Sequence, residues 1–316
     1  MAIKGTMGIV GCYGLSDQIL RMVEEDEQVG KLLVVANEEG ERFERKVKER
    51  NGRIEPVMVD GNALGPSDEE GFSILLWLNP ESLHDGRNTH DHHREVLSRM
   101  ADHVDAVFFF YGLCRSPELR LIELRDEAPV PTIFLTDLDG EIVDDCFAAV
   151  LGGKKDYLEH IMGHKHALLV TTGYAESWRR KRERSDLSTL VEEVEGMRYM
   201  FQTLGYDKLV KLDDGVDDGG RFDEDVRAFS RLFDLELEIR LCRSPVFAHS
   251  YAMAKKSIQN RSDTLSPGAE TRLMSWSPCG TMRKLACACS AMAWRVHMSL
   301  GPSCQLDADP FNRTLP

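Results

Sequence analysis

The sequence predicts an α/β protein, doubly wound, with mostly parallel sheets in Rossmann-like lobes. Short apolar runs alternate with charged segments of helix length, which is the pattern of strands joined by helical crossovers. The run "VDAVFFFYG" at 104–112 is almost continuously apolar, as in a central strand that is covered on both faces. A hydrophobic content of 42% in 316 residues is enough for a substantial core.

Strands and helices alternate from the beginning of the chain. "MGIVGC" is the first strand pattern, and "SDQILRMVEED" behind it is a helix that Ser16 is placed to cap. Three further strand patterns and two helix patterns precede the central strand. The strands are 31–37, 54–60 and 72–78, and the helices are 38–51 and 91–102.

Four strand patterns and two helix patterns follow the central strand. The strands are 130–137, 166–173, 207–214 and 235–241, and the helices are 187–205 and 222–234. Gly205 is expected to end the first of these helices, because glycine accepts the left-handed conformation common at that position. In "LELEIRL" apolar residues alternate strictly with charged ones, which indicates a half-buried edge strand.

Residues 1–256 are expected to form the α/β domain, as one unit or as two packed lobes with a boundary near 100–180. Residues 257–316 differ, since they hold four of the eight cysteines and two of the four tryptophans without sustained periodicity. We therefore expect an atypical Cys-, Trp- and Ser-rich tail that is poorly ordered.

The net charge of −14 at pH 7 argues against nucleic acid and anionic membranes as partners. The basic run "RRKRER" at 179–184 is a local exception, which we interpret as a solvated helix start. No apolar run is long enough to span a membrane, and the N-terminus lacks a signal-peptide pattern. We expect a cytoplasmic protein, whose cysteines remain thiols or bind metal.

The cysteines of the body share a setting. Cys12, Cys114 and Cys242 each lie near the carboxyl end of a predicted strand, the edge at which open parallel sheets bind ligands. The pentapeptide "LCRSP" surrounds both Cys114 and Cys242. Cys146 stands at an expected loop or helix start, where a helix N-terminus would lower the thiol pKa. For any one of the four taken singly, a small buried apolar side chain is the simpler interpretation.

Two further patterns bear on function. "THDHHREV" clusters His90, His92 and His93, which together with Asp91 could hold zinc, although an exposed polar helix start is the simpler interpretation. The glycines of "GIVGCYGLSDQ" lack the Gly-x-Gly-x-x-Gly spacing, so a dinucleotide site is poorly supported.

The chain resembles the uncharacterised domain-of-unknown-function family 1638 over about residues 8–256. The matching pieces are Cys12, Leu83–His84, the turn Tyr111–Gly112–Leu113–Cys114, Asp145–Cys146 with Leu151–Gly152, and "TTGYAESW" at 171–178. Asp144 departs from the pattern, because the family has a histidine there, and this puts any role of that histidine in doubt.

The resemblance implies that Cys12, Cys114 and Cys146 occur together in the family. We therefore expect their three thiols to lie close together in one site. Three thiolates suit a transition metal such as zinc, iron or cobalt, or an iron–sulfur cluster. His84 is the best nitrogen candidate for a fourth ligand, and Cys242 is the alternative sulfur.

The resemblance also implies a cofactor contact and a partner. Tyr111 and Gly112 precede Cys114 in the same turn and are expected to contact the cofactor. Genes of the family often lie beside corrinoid-dependent methyltransferases in anaerobes. This implies a corrinoid protein or methyltransferase as partner, and a place in corrinoid or one-carbon methyl metabolism.

Three functions follow from these observations. The leading hypothesis is a metal- or cluster-binding protein, which the sequence does not class as enzyme or non-enzyme. The second is a metal-free enzyme with Cys114 or Cys146 as nucleophile. The third is a module that binds a small anionic or tetrapyrrole-like ligand in the cleft between the lobes.

Overall fold

Two parallel sheets flanked by helices form the framework of the chain. The computed structural model describes residues 3–64, 71–80, 83, 89–114, 118–216 and 219–264. One sheet has six strands and the other has three, and all the strand pairings within them are parallel. The predicted doubly wound α/β fold is thus confirmed.

The first half of the chain builds the six-stranded sheet, whose strand order is β3-β2-β4-β1-β5-β6. Its strands are β1 Gly5–Cys12, β2 Val29–Val35, β3 Pro56–Val59, β4 Phe72–Asn79, β5 Ala106–Phe110 and β6 Thr132–Phe134. Every residue of β4 and β5 is buried, as expected for apolar strands in the interior of a parallel sheet.

Helices cover both faces of this sheet. The connecting helices are α1 Ser16–Glu25, α2 Glu38–Glu49, α3 Thr89–Met100 and α4 Glu118–Glu127. Buried side chains of α1 and α2 belong to one hydrophobic cluster, and those of α3 and α4 belong to a second. The two pairs therefore lie on opposite faces. A later helix, α10 (Val246–Thr264), packs against β1, β5 and β6 on the face of α1 and α2.

The second half of the chain builds the three-stranded sheet, with strand order β7-β8-β9. Its strands are β7 Ala167–Val170, β8 Lys208–Asp213 and β9 Glu236–Leu241. The helices of this half are α5 Cys146–Leu151, α6 Lys154–Gly163, α7 Thr172–Arg184, α8 Leu187–Leu204 and α9 Arg221–Phe233. β9 lies at the end of the sheet, as predicted for an edge strand. The expected burial of its apolar side chains is wrong, because Leu237 is only half-buried and Ile239 and Leu241 are exposed.

Two predicted helix ends have different outcomes. Gly205 follows α8 with φ of 72°, so the predicted left-handed helix end is confirmed. Ser16 is not a cap but the first residue of α1, because a short 3-10 turn over 13–15 leads directly into the helix. The Ser16 hydroxyl instead accepts a hydrogen bond from Lys46 Nζ at 2.9 Å.

The basic run 179–184 ends α7 rather than starting a helix. α7 begins at Thr172, where the Thr171 hydroxyl accepts a hydrogen bond from the Tyr174 amide at 3.3 Å. The segment 172–178, which is part of the stretch that resembles the family, is therefore the first half of this helix.

The expected tail begins within a helix, since α10 continues to Thr264. Its residues from 265 onward lie outside the described part of the chain, and the division into domains stays a prediction. Among the described helices, none combines the length and apolar character needed to cross a membrane.

Candidate functional site

The carboxyl ends of β1, β4 and β5 meet at a point where the covering helices change face. β1 leads into α1 on one face, whereas its neighbours β4 and β5 lead into α3 and α4 on the other. Open α/β sheets bind ligands in the crevice at such a switch point. Cys12, the last residue of β1, is level with Asn79, the last residue of β4.

Cys12 points to the face of the sheet that α3 and α4 cover. It is 7% exposed, and it shares a hydrophobic cluster with Tyr111, which follows β5 on the same face. The Cys12 sulfur accepts a hydrogen bond from the Gly14 amide at 3.3 Å. Burial raises the pKa of the Cys12 thiol to about 11, so it is neutral at pH 7.

The turn 111–114 lies against the segment that precedes α5. At Gly112 a Cβ atom would lie 2.5 Å from the Val143 carbonyl oxygen and 2.8 Å from the Asp145 amide nitrogen. Because both are backbone atoms, the close approach requires glycine. Gly112, predicted to contact a cofactor, thus has a clear structural role, which is to bring Cys114 beside the Asp145–Cys146 pair.

Cys114 is held in an uncommon backbone conformation. Its φ is 42°, in the left-handed region, and its amide donates to the Asp144 carbonyl at 2.8 Å. The thiol is half-buried. Burial raises its pKa well above the ordinary range, and the negative charge of a Cys12 thiolate would raise it further.

Cys146 is the first residue of α5, and Asp145 caps the helix. The Asp145 carboxylate accepts hydrogen bonds from the Ala148 amide at 2.9 Å and from the Tyr157 hydroxyl at 3.1 Å. The lowered thiol pKa expected at a helix N-terminus is wrong. Burial raises the pKa of Cys146 well above its ordinary range, the charge of Asp145 adds to this, and α5 has only six residues to oppose them.

The three predicted thiols lie near the same edge of the sheet and influence one another. Charges on Cys12 and Cys114 both raise the pKa of the Cys146 thiol. The side chains of Cys12 and Cys114 pack with the α3 and α4 face, whereas Cys146 packs with the opposite cluster. Within the described residues, no three or more His, Cys, Asp or Glu side chains are grouped so as to hold a metal ion.

A buried polar cluster beside Cys12 was not predicted from the sequence. The Tyr111 hydroxyl lies 2.7 Å from Nδ1 of His93 and 2.8 Å from Nε2, and Asn79 Nδ2 lies 3.4 Å from Nε2. On the other side, Asn79 Oδ1 lies 3.2 Å from Nε2 of His92. Burial lowers the pKa of His93 to about 3, so the imidazole is neutral at pH 7.

The alternation of side chains between the two faces of a strand could have revealed this cluster from the sequence. Along β4 and β5, successive side chains alternate between the two hydrophobic clusters. Trp77, Phe109 and Tyr111 belong to the cluster on the α3 side. Asn79, two residues after Trp77, faces the same side, so the polar groups of Asn79 and Tyr111 both face α3. The interpretation of "THDHHREV" as an exposed helix start fails for His93, which is only 1% exposed.

The remaining predicted ligands lie elsewhere. His84 is outside the described residues. Cys242 follows β9 of the three-stranded sheet, and its amide donates to the Asp213 carbonyl at 2.7 Å. Burial raises the pKa of the Cys242 thiol to about 11, and the charges that act on it are those of Arg240, Asp213 and Asp214. The surroundings of Cys242 thus differ from those of the other three thiols.

Comparison with known proteins gives one match. The family model described as "Protein of unknown function (DUF1638)" matches residues 81–248, more than half of the chain. The matched range includes Cys114, Cys146 and His93, and it is shorter than the predicted 8–256, so that Cys12 lies before it. No curated protein and no solved structure matches the chain.

Proposed function

We propose that this chain, which belongs to the DUF1638 family of proteins of unknown function, binds a soft or borderline transition metal ion or an iron–sulfur cluster. The ligands are the thiolates of Cys12, Cys114 and Cys146. The observation that carries the proposal is their placement, since three separate segments each deliver a thiol to the switch-point edge. Thiolates are preferred ligands of zinc, iron and iron–sulfur clusters.

The electrostatics of the site support a cation there. The strongest influences on the Cys114 and Cys146 pKa values are burial, neighbouring thiols and the carboxylate of Asp145, all of which oppose thiolate formation. A bound metal cation removes this penalty, because its charge offsets the thiolates directly. The same surroundings disfavour a metal-free cysteine nucleophile, which needs a thiolate near neutral pH.

Coordination requires a movement of side chains. Sulfur ligands stand about 2.3 Å from a zinc ion, and the thiols described above are not yet gathered around one point. Cys114 and Cys146 are close in the fold, because Gly112 packs on the backbone that precedes α5. A rotation of these side chains toward Cys12 would complete a three-sulfur site, with a fourth position left for His84 or for an exogenous ligand.

The cellular role follows from the family resemblance. We connect the site with corrinoid or one-carbon methyl metabolism, with a corrinoid protein or a methyltransferase as partner. We also propose a cytoplasmic location, because thiols that are to bind metal persist in a reducing compartment.

Metal analysis of the full-length chain, purified without oxygen, tests the proposal. The matched pair of variants is Cys114→Ser and Cys242→Ser, because both cysteines occur in the same "LCRSP" context after a strand. We expect about one metal equivalent, or one cluster, in wild type and in Cys242→Ser, and most of it lost in Cys114→Ser.

Two results would overturn the proposal. One is negligible zinc, iron and cobalt in wild type after growth with each metal. The other is equal metal content in wild type, Cys114→Ser and Cys242→Ser. Circular dichroism of each variant shows whether a loss of metal is a loss of fold.

A further inference from the structure

A strongly charged cavity lies between α1 and α2 on one side and α7 and α9 on the other. Its volume is about 370 Å³, within the usual range for small-ligand sites. Its lining residues include eight cations and five carboxylates. The cations are Arg42, Arg45, Lys46, Arg50, Arg179, Arg180, Arg184 and Arg221; the carboxylates are Asp17, Glu49, Glu176, Glu183 and Asp225.

This concentration of positive charge contrasts with the rest of the chain. The net charge of the chain is −14, whereas the cavity lining carries an excess of cations. Three members of the basic run 179–184 contribute to it, so the run that was interpreted as solvated helix surface partly faces a cavity. Eight cations and five carboxylates give the lining a formal charge of +3, and a concave site with a net charge of one sign concentrates counter-ions of the other sign.

The floor of the cavity is formed by Tyr13 and the groups around its ring. The Arg180 guanidinium lies 4.5 Å from the ring centroid and Lys46 Nζ lies 5.0 Å from it. The Tyr13 hydroxyl donates a hydrogen bond to Glu176 at 2.7 Å. The Arg180 side chain is only 12% exposed. Two cations are thus fixed in place by one aromatic ring.

Carboxylates in the lining are shared between cations. Asp17 lies 3.1 Å from Lys46 Nζ and 2.6 Å from Arg50, and Glu176 lies 2.8 Å from Lys46 Nζ and 3.5 Å from Arg180. A single carboxylate offsets one positive charge, so sharing leaves the lining with a surplus. Just outside the lining, Glu38 is shared by Arg42 and Arg184, and Glu39 lies 2.8 Å from Arg42. With these two carboxylates counted, the surplus is one positive charge.

We propose that this cavity binds a small ligand that carries two or more phosphate groups. Arginine guanidinium groups match phosphate oxygens in pairs of parallel hydrogen bonds, and seven of the eight cations are arginines. Several cations are spread along α2 and α7, which suits linked phosphates better than one ion. Tyr13 of the cavity lining directly follows Cys12 of the proposed thiol site in the chain. Phosphate binding in the cavity nevertheless does not require a metal ion at the thiol site.

Titration calorimetry with pyrophosphate and tripolyphosphate tests this proposal on the full-length protein. We expect saturable binding of both compounds that weakens as sodium chloride rises, since partly exposed charges are screened by salt. Citrate, which carries similar charge on carboxylates, is the comparison ligand and is expected to bind at least about tenfold more weakly, or about 1.4 kcal/mol.

Charge reversal in the basic run supplies a matched pair. Arg184 lines the cavity and is 59% exposed, whereas Arg182 is on the same helix but outside the lining. Arg184→Glu and Arg182→Glu change the net charge equally, and both positions tolerate substitution because neither side chain is buried. We expect Arg184→Glu to weaken tripolyphosphate binding about tenfold or more, and Arg182→Glu to weaken it less than about threefold.

The proposal is overturned by any of three results. They are no heat of binding for either phosphate compound at millimolar concentration, equal or tighter binding of citrate, and equal effects of the two charge reversals. The metal content of Arg184→Glu is expected to equal that of wild type, which separates this proposal from the metal site.

Discussion

The Tyr111 hydroxyl and the His93 imidazole form a buried contact of 2.7 Å between Oη and Nδ1 at the switch point of the sheet. The two rings are tilted by 31° with centroids 4.7 Å apart. Tyr111 is 4% exposed and His93 1% exposed, so each depends on the other for a hydrogen bond, and His93 also has Asn79 as a partner. This contact fixes α3 on the carboxyl ends of β4 and β5, directly beside Cys12.

The buried His93 imidazole makes stability fall in acid. Its folded-state pKa of about 3 lies below the ordinary value of 6.5, because burial penalises the charged form and His92 and His90 add to this. Below pH 6.5 His93 binds a proton in the unfolded chain but stays neutral in the folded chain. The stabilisation present above pH 6.5 is therefore lost as pH falls. At pH 5 the loss is about 2 kcal/mol. We expect His93→Gln to reduce the pH dependence of urea unfolding between pH 7 and 5 by this amount.

Tyr111→Phe is the control for this prediction. It removes the hydroxyl and leaves His93 buried, so it should lower the free energy of unfolding by about 1 kcal/mol at each pH. Its pH dependence should remain that of wild type. Parallel pH curves for wild type and His93→Gln would show that His93 is not the group responsible.

Substitution of Gly112 tests how closely the turn 111–114 packs against the backbone before α5. A Cβ atom there would be 2.5 Å from the Val143 carbonyl oxygen, so Gly112→Ala should destabilise the fold by about 2 kcal/mol or more. Gly196→Ala is the opposite case, since this glycine is exposed in α8 and a Cβ atom added to it would have no heavy atom within 4 Å. It should stabilise by about 1 kcal/mol. Urea unfolding that finds Gly112→Ala as stable as wild type would contradict the close packing.

The Asp145 carboxyl should make the fold less stable as pH rises. Burial raises its pKa from 3.8 to about 6, so between these values the folded chain holds a proton that the unfolded chain has released. The stabilisation that is present below pH 3.8 is therefore lost as pH rises through 6. Asparagine also caps helices, so Asp145→Asn keeps the hydrogen bond to Ala148 without this loss.

The free energy of unfolding of Asp145→Asn, taken relative to that of wild type, should be about 2 kcal/mol higher at pH 7.5 than at pH 4.5. Urea unfolding at the two pH values measures the difference, and Asp139→Asn, at an exposed position between β6 and α5, serves as the control. A constant difference between Asp145→Asn and wild type would show that the carboxyl does not titrate in this window.

The sequence predicts the strands well because burial in a parallel sheet demands apolar residues at successive positions. The run 104–112 shows this, since all five residues of β5 are buried. The alternation at 235–241 predicts the edge position of β9 correctly, but not which of its side chains are buried, since Ile239 and Leu241 are exposed. These patterns depend on local surroundings and so can be recognised without the rest of the chain.

The site is harder to predict because its geometry depends on contacts far apart along the chain. The helix-start position of Cys146 predicts a lowered pKa, whereas its burial and Asp145 raise it. The basic run 179–184 resembles solvent-exposed surface until α2 is placed opposite it. Gly112 is one of 25 glycines, and its close approach to Val143 depends on a segment that lies about thirty residues away.

Metal binding at the proposed site should release protons. The thiols of Cys12, Cys114 and Cys146 are neutral at pH 7.5 because burial raises all three pKa values, whereas metal ligation requires thiolates. Binding of one zinc ion should therefore release about three protons, measured by titration calorimetry in buffers with different heats of ionisation. Cys242→Ser should give the same number of protons, since Cys242 follows β9 of the other sheet. Zinc binding that releases fewer than about one proton would mean that ligands other than these thiols hold the ion, since carboxylates are already ionised at this pH.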